Sequence, residues 1–220
     1  MKEAYYTAEN LISSSKEMLE DLYPEGQKRG KRFDFNRAAF LVLDMQDYFL
    51  HPESHAYIPS AQAVLPGLNQ LSALFQAHAR PVFFSQHLNM ESDAGSMKSW
   101  WLDLITESHP YHALHSKLQV GEGKVFQKTQ YDAFYRTDLE DRLKAHGIRQ
   151  VLVGGVMTHL CCETTARSAF MRGFDVFFLV DGTATYRRSF HLGTLRNLGH
   201  GFATLVTVQQ IRDTFPEAGK

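Results

Sequence analysis

The two cysteines of this chain stand side by side in GGVMTHLCCETTARSAFMRG, residues 154 to 173. A thiolate is a strong nucleophile and a thiol is not, so the local structure around each sulfur decides whether it has a chemical role. The segment begins with the apolar run VLVGGV and continues with apolar residues at helical spacing, so it reads as a strand, a turn and a helix. With Thr158 as the cap, Cys161 falls in the first helical turn. Unpaired backbone N–H groups and the helix dipole favour an anion there and predict a lowered thiol pKa. Cys161 shares its face with Thr164, Thr165 and Ser168. Cys162 shares its face with Ala166, Ala169 and Phe170 and points into a core. Cys161 is therefore the candidate nucleophile and Cys162 a packing residue, while Glu163 and Arg167 are spaced to pair on an exposed flank.

Two further residues bear chemistry in equivalent places. Asp44 ends the apolar run AAFLVLDM, and Lys128 ends the short run KVFQK. Each alone has a plain alternative: an acid after a strand can cap a helix, a lysine can be a solvated charge, and a cysteine can be a small core residue. Their common feature is position, since each follows a strand at its carboxyl end. In an open parallel sheet that is where ligands bind.

The elements that must position these residues follow from the hydrophobic pattern. AAFLVLDM, RPVFFSQH, GKVFQK, RQVLVGGVM, FDVFFLVD and FATLVTV read as strands, several of them apolar throughout. SAQAVLPGLNQLSALFQAHA, YRTDLEDRLKAHGI, HLCCETTARSAFMRG and RSFHLGTLRNLG read as the intervening helices. Strands apolar on both faces and alternating with helices predict a three-layer α/β/α sandwich with a mostly parallel, doubly wound sheet of about six strands. Residues 1–36 read as an N-terminal arm with one amphipathic helix carrying Leu11, Met18, Leu19 and Leu22, followed by the turn-rich YPEGQKRGKR. The arm is expected to dock on the body rather than to join the substrate site. Residues 37–220 form the main domain, within which 88–122 is a loop-rich insertion, and a loop of that length is a lid or an interface piece. Its tandem Trp100 and Trp101 either close the site or bury at a subunit contact.

Composition narrows the partners. Net charge is -1, a balance that does not favour nucleic acid or an anionic membrane surface and points to a small-molecule substrate. The start MKEAYYTAENLISSSKEMLE lacks the apolar core of a signal peptide, and no segment has the apolar length of a membrane span. Adjacent cysteines suit neither disulfide geometry nor zinc spacing, so a reducing, cytoplasmic location is expected.

The segments FLVLDMQDYF, VFQKTQYDAF and VLVGGVMTHLCCETTARSAFMRGFDVFFLVDG together resemble the three sequence blocks of the isochorismatase-like cysteine hydrolase superfamily, in the same order. That superfamily includes nicotinamidases, N-carbamoylsarcosine amidase and isochorismatase. The resemblance implies a catalytic triad of Asp44, Lys128 and Cys161, a cis peptide between Val156 and Met157, and an oxyanion hole formed by the backbone N–H groups of Met157 and Cys161. It implies a homodimer or homotetramer, and no cofactor.

The chain also departs from parts of the family pattern. Family members that cleave the vinyl ether of isochorismate usually have a small inert residue in place of the cysteine, so Cys161 favours cleavage of a C–N bond in a small amide, ureido or imide compound. The block FLVLDMQDYF nevertheless resembles the isochorismatase branch, which keeps acid catalysis of vinyl ether hydrolysis by Asp44 as the alternative. A catalytically silent binding subunit is the non-enzymatic alternative. Gln130 and Asp132 replace the arginine and serine common in the isochorismatase branch, which weakens the case for a dianionic substrate. Nicotinamidases carry an Asp-x-His metal pair where this chain reads FSQHLN; His87 lacks the acid, and no catalytic metal is expected. His109, His112 and His115 lie on a proline-containing stretch with no dependable helical face and read as loop or surface residues. Gln46, Phe49, His87, Tyr131 and Phe134, all near triad positions, are the expected pocket walls.

Overall fold

The computed structural model describes residues 2–26 and 30–216; residues 27–29, inside the turn-rich stretch of the arm, and 217–220 lie outside them. Six strands, β1 (Ala38–Leu43), β2 (Val82–His87), β3 (Lys124–Lys128), β4 (Gln150–Val156), β5 (Asp175–Ala184) and β6 (Ala203–Val206), form one parallel sheet in the order β3-β2-β1-β4-β5-β6. Every residue of β1 and β4 is buried. A strand covered on both faces cannot alternate polar and apolar residues, which is why their sequences are unbroken apolar runs. The edge strand β3 exposes Lys124, Val125 and Gln127, in keeping with its short, polar sequence.

The helices are α1 (Leu11–Leu22), α2 (Asp47–Leu50), α3 (Ala61–Ala77), α4 (Met97–Trp100), α5 (Leu139–Ala145), α6 (Glu163–Met171), α7 (Arg188–Gly201) and α8 (Val208–Arg212), with a π-helical turn at Thr158–Cys162 running into α6. α3 packs across β1, β4 and β5 with α8 beside it, whereas α6 and α7 pack together over β5 and β6. The chain winds outward from β1 to β3 in one direction and from β4 to β6 in the other. Right-handed crossovers therefore put α6 and α7 on the face opposite α3, giving three layers. α5 is shorter than the sequence pattern suggests: Arg136 has φ +54, outside helical geometry, so the segment from 132 to 137 is a turn.

The reversal of strand order falls between β1 and β4, whose ends are in register at Leu43 and Gly155. The crevice at such a switch point is the site this topology offers a ligand. Two backbone features shape it. Gly155 has φ +107, and a Cβ there would lie 2.1 Å from the Leu43 carbonyl oxygen, so only glycine lets β4 approach β1 this closely. Asp44, the first residue beyond β1, has φ +51, a left-handed conformation that a non-glycine residue keeps only where its surroundings hold it.

The arm docks through α1, with Met18 fully buried and Leu11, Leu19 and Leu22 against the core. Burying Met18 contributes about 2 kcal/mol, so the helix is held by packing more than by its own propensity. Ahead of α1, Tyr6 is buried and donates its hydroxyl to the Val180 carbonyl at 3.1 Å, and the Glu3 N–H donates to the Tyr186 carbonyl at 2.8 Å. The insertion is stitched to the loop after β1: Asp47 N–H donates to the Ala113 carbonyl, Tyr48 N–H to that of Tyr111, and His115 N–H to that of Met45.

Candidate active site

Asp44 is completely buried at the switch point. Its backbone N–H donates to the carbonyl and to Oγ of Ser85, and the Ser85 hydroxyl donates to Oδ1 at 2.6 Å. Ser85 sits opposite Leu43 in the β1–β2 register, so its side chain meets the residue that follows. The sequence reading missed Ser85, although a hydroxyl inside the apolar run VFFS was the available signal. Oδ2 stands 2.8 Å from Lys128 Nζ but receives no hydrogen bond of good geometry from the described residues. One carboxylate oxygen is therefore fixed by the Ser85 hydroxyl, and the other faces the Lys128 ammonium.

Lys128 reaches Asp44 from two strands away, across the end of β2. At about 4.8 Å per strand this needs a side chain as long as lysine's. Its Nζ contacts Asp44 Oδ2 at 2.8 Å, the Gln130 carbonyl at 2.8 Å, His87 Nδ1 at 3.1 Å and Cys161 Sγ at 3.4 Å. Burial acts to lower its pKa, but the negative charge of Asp44 and the neighbouring Cys161 outweigh it, and the value lies above that of an ordinary lysine. The group is an ammonium at neutral pH.

His87 accepts from this ammonium at Nδ1 and donates from Nε2 to Asn89 Oδ1 at 2.8 Å. Burial, and then the positive charge of Lys128, push its pKa down to about 4, so it is neutral. Gln46 fixes the end of this strand. Its side chain accepts from His87 N–H at 2.7 Å and donates to the carbonyls of His87 and His112 at 3.0 and 2.7 Å.

Cys161 lies in the π-helical turn, 5% exposed, with Sγ within 4.8 Å of both a carboxylate oxygen of Asp44 and a ring nitrogen of His87. The expectation of a depressed thiol pKa is not met. Burial pushes it up to about 12, against the opposing pull of Lys128, because the sulfur is sequestered inside the turn rather than displayed at a regular helix start. The resting thiol is neutral. Cys162 is fully buried, 3.9 Å from the Gly154 carbonyl, on the side of the turn facing the core. The Val156–Met157 peptide preceding the turn is cis. Glu163 and Arg167 pair at 2.7 Å, and Glu163 also accepts from Thr194 at 2.6 Å, so the pair ties α6 to α7 instead of lying on an open flank.

Cys161 opens into a cavity of about 320 Å³ dominated by apolar and aromatic side chains. Phe49, His87 and Tyr131 line it. Gln46 and Phe134 do not: Gln46 is spent on the backbone clamp just described, and Phe134 stacks on Phe174 at 6.1 Å beneath the Arg172 guanidinium. Asp132 accepts from Ser168 at 2.6 Å and from Phe134 N–H at 2.9 Å, turning that ring away. Trp101 lines the cavity, its indole N–H donating to the Tyr131 hydroxyl at 2.9 Å, while Trp100, another lining residue, is 79% exposed. Tyr48, Leu160 and Tyr186 also line the cavity and were not anticipated. The N-terminal arm was expected to stay away from the site, yet Lys2 lines it, because the residues before α1 run past the end of β5. The histidine-rich stretch is a half-buried clasp rather than free surface: His115 pairs with Asp47 at 2.5 Å and His109 with Asp103 at 3.3 Å.

Among the described residues, Asp44, His87 and Cys161 form the group whose donor atoms could together surround a metal ion. The donor set does not fit one. The Lys128 ammonium already contacts all three side chains, and His87 has both ring nitrogens engaged. A divalent cation there would meet a fixed positive charge at contact distance.

A family model described as the isochorismatase domain matches residues 38–210. Nicotinamidase 3 of Arabidopsis thaliana is 37% identical over 181 residues, covering 80% of this chain and 87% of that protein. Enterobactin synthase component B of Escherichia coli is 30% identical over 182 residues, covering 81% of this chain and 64% of that protein. Among solved structures, a cysteine hydrolase from Pseudomonas syringae superposes with a TM-score of 0.80 at 23% identity, covering 85% of this chain and 97% of that one.

Proposed function

Because the chain belongs to the isochorismatase family, whose members are hydrolases, we propose that it hydrolyses the C–N bond of a small amide, ureido or imide compound through a thioester on Cys161. The observation that carries this reading is that one buried ammonium, Lys128, touches both the Asp44 carboxylate and the Cys161 sulfur where the thiol opens into the cavity. As substrate binds, Asp44 takes the thiol proton on Oδ2 while the sulfur attacks the carbonyl carbon. Lys128 stays beside whichever of the two groups is anionic. The backbone N–H groups of Met157 and Cys161 receive the oxyanion. Collapse of the tetrahedral intermediate breaks the C–N bond, and the departing amine takes the proton from Asp44. Water then attacks the thioester, giving its proton to Asp44, and the carboxylic acid leaves as the thiol is restored. The aromatic walls of the cavity and the 37% identity to a protein named a nicotinamidase favour a flat amide over a charged aliphatic one.

Mass spectrometry of the chain incubated with benzamide, nicotinamide and N-carbamoyl compounds is the test: an acyl adduct on Cys161, absent in Cys161→Ala along with all amide turnover, is the expected result. The match to the isochorismatase domain supports the second reading, vinyl ether hydrolysis by Asp44. That activity would persist in Cys161→Ala. Failure of both adduct formation and turnover would leave the protein a binding subunit.

A further inference from the structure

The cavity has a charged rim as well as a reactive end. At the rim the Lys2 ammonium donates to the His55 carbonyl and stands 4.5 Å over the ring of Tyr186, and all three residues line the same cavity as Cys161. An ammonium has three N–H donors. One meets the carbonyl and one the aromatic face; among the described residues no carboxylate lies within ion-pair distance to take the third. Burial lowers the pKa of Lys2, as expected of a cation partly stripped of water with no counter-ion.

Asp103, the acid on the same rim, does not fill that role. Its Oδ1 accepts from the Tyr48 hydroxyl at 2.5 Å and is 2.7 Å from His55 Nε2, and its Oδ2 is 3.3 Å from His109 Nε2. Asp44, at the far end, is paired with Lys128. Lys2 is also well anchored for a residue so near a terminus. The next residue, Glu3, bonds the Tyr186 carbonyl through its N–H and accepts from Arg188 N–H at 3.0 Å, and the Tyr5 hydroxyl accepts from Thr185 N–H at 2.9 Å. These contacts fix the arm to the turn after β5 and keep the ammonium over the cavity.

We propose that Lys2 is a specificity-determining residue that binds a carboxylate or similar oxyanion on the part of the ligand remote from Cys161. On the amide-hydrolase reading above, the preferred substrates are then small amides with an apolar or aromatic body and a negative charge; the anion contact itself does not depend on that reading. The full chain carrying Cys161→Ala, which cannot form a thioester, is titrated with 3-carbamoylbenzoate and with benzamide, using the fluorescence of Trp100 and Trp101. A charge-assisted hydrogen bond predicts about 10- to 100-fold tighter binding of the carboxylate, weakened by added salt. Adding Lys2→Met should remove the preference, and adding Lys2→Arg should keep most of it. Equal affinity for the two ligands, no binding of 3-carbamoylbenzoate, a preference that survives Lys2→Met, or an equal loss for both ligands would each overturn the assignment. Intact preference without turnover by the Cys161 chain would count against the amide-hydrolase reading alone.

Discussion

Lys128→Met removes the charge at the centre of the site and keeps most of the volume. Both Lys128 and Asp44 have fully buried side chains, and their charged atoms are 2.8 Å apart. In the variant Asp44 keeps the Ser85 hydroxyl on Oδ1, but Oδ2 has nothing positive beside it. Removing one partner of a buried pair costs about 3–5 kcal/mol, which for a domain of this size lowers Tm by roughly 6–20 °C. A buried carboxylate left without its counter-ion costs most when it is charged, and acid relieves that cost. The deficit of the variant grows as pH rises, by up to about 1.4 kcal/mol per pH unit. Thermal unfolding of the variant should therefore show a smaller deficit against the parent at pH 5 than at pH 8. Asp44→Asn in the same background takes away the stranded charge and should recover most of the stability, with no recovery of turnover. A deficit of the same size at pH 5 and pH 8, or a double variant no more stable than Lys128→Met, would refute the account of Asp44 and Lys128 as mutually dependent buried charges.

With its thiol pKa pushed up to about 12, Cys161 should react with iodoacetamide about tenfold faster for each unit of pH from 7 to 10, whereas a plateau near pH 7 would mean a stored thiolate. Gly155→Ala places a methyl group 2.1 Å from the Leu43 carbonyl oxygen at φ +107 and should lower stability by at least about 3 kcal/mol in denaturant titration; a loss under about 1 kcal/mol would show that β1 and β4 can separate there. His87 and His191 have pKa values pushed down by burial to about 4 and about 3, so the folded state binds fewer protons than the unfolded chain below pH 6.5. Stability is complete above that pH and falls with acidification, by on the order of 3 kcal/mol per histidine at pH 4. His191→Gln should flatten the acid limb of a Tm-against-pH curve.

The legible parts of this protein are those written in periodicity. AAFLVL, QVLVGGV and DVFFLV carry their burial in their composition, so the sheet and the strand ends bearing Asp44, Lys128 and the turn to Cys161 are legible in the sequence. What could not be read was anything set by contacts across the fold. Gln46 and Phe134 are near Asp44 and Lys128 in sequence, but one is turned to backbone carbonyls and the other to Phe174, and adjacency in sequence carries no information about side-chain direction in a loop. Lys2 reaches the cavity because Glu3 and Tyr5 bond to the segment after β5, a contact spanning 180 residues of sequence with no periodic trace. The thiol pKa was misjudged for a related reason. A helix dipole can be inferred from sequence, but the desolvation that outweighs it depends on what packs over the sulfur.

That desolvation bears on how a buried sulfur with so high a pKa can serve as a nucleophile. A thiolate held permanently beside Asp44 would put two negative charges against one ammonium in a cavity with apolar walls. The neutral thiol instead leaves one anion and one cation in contact. On the proposed chemistry the proton moves from sulfur to Oδ2, and the negative charge moves with the opposite sense while Lys128 remains within 3.4 Å of both atoms. The count of charges in the site is then the same before and after the transfer, so the step requires no new charge to be brought out of water. The cost of forming the thiolate is thus set mainly by the difference between two positions around one fixed cation. Moving that cation, as Lys128→Met does, removes the common partner and should therefore cost more in turnover than either anion's contact with it would separately suggest.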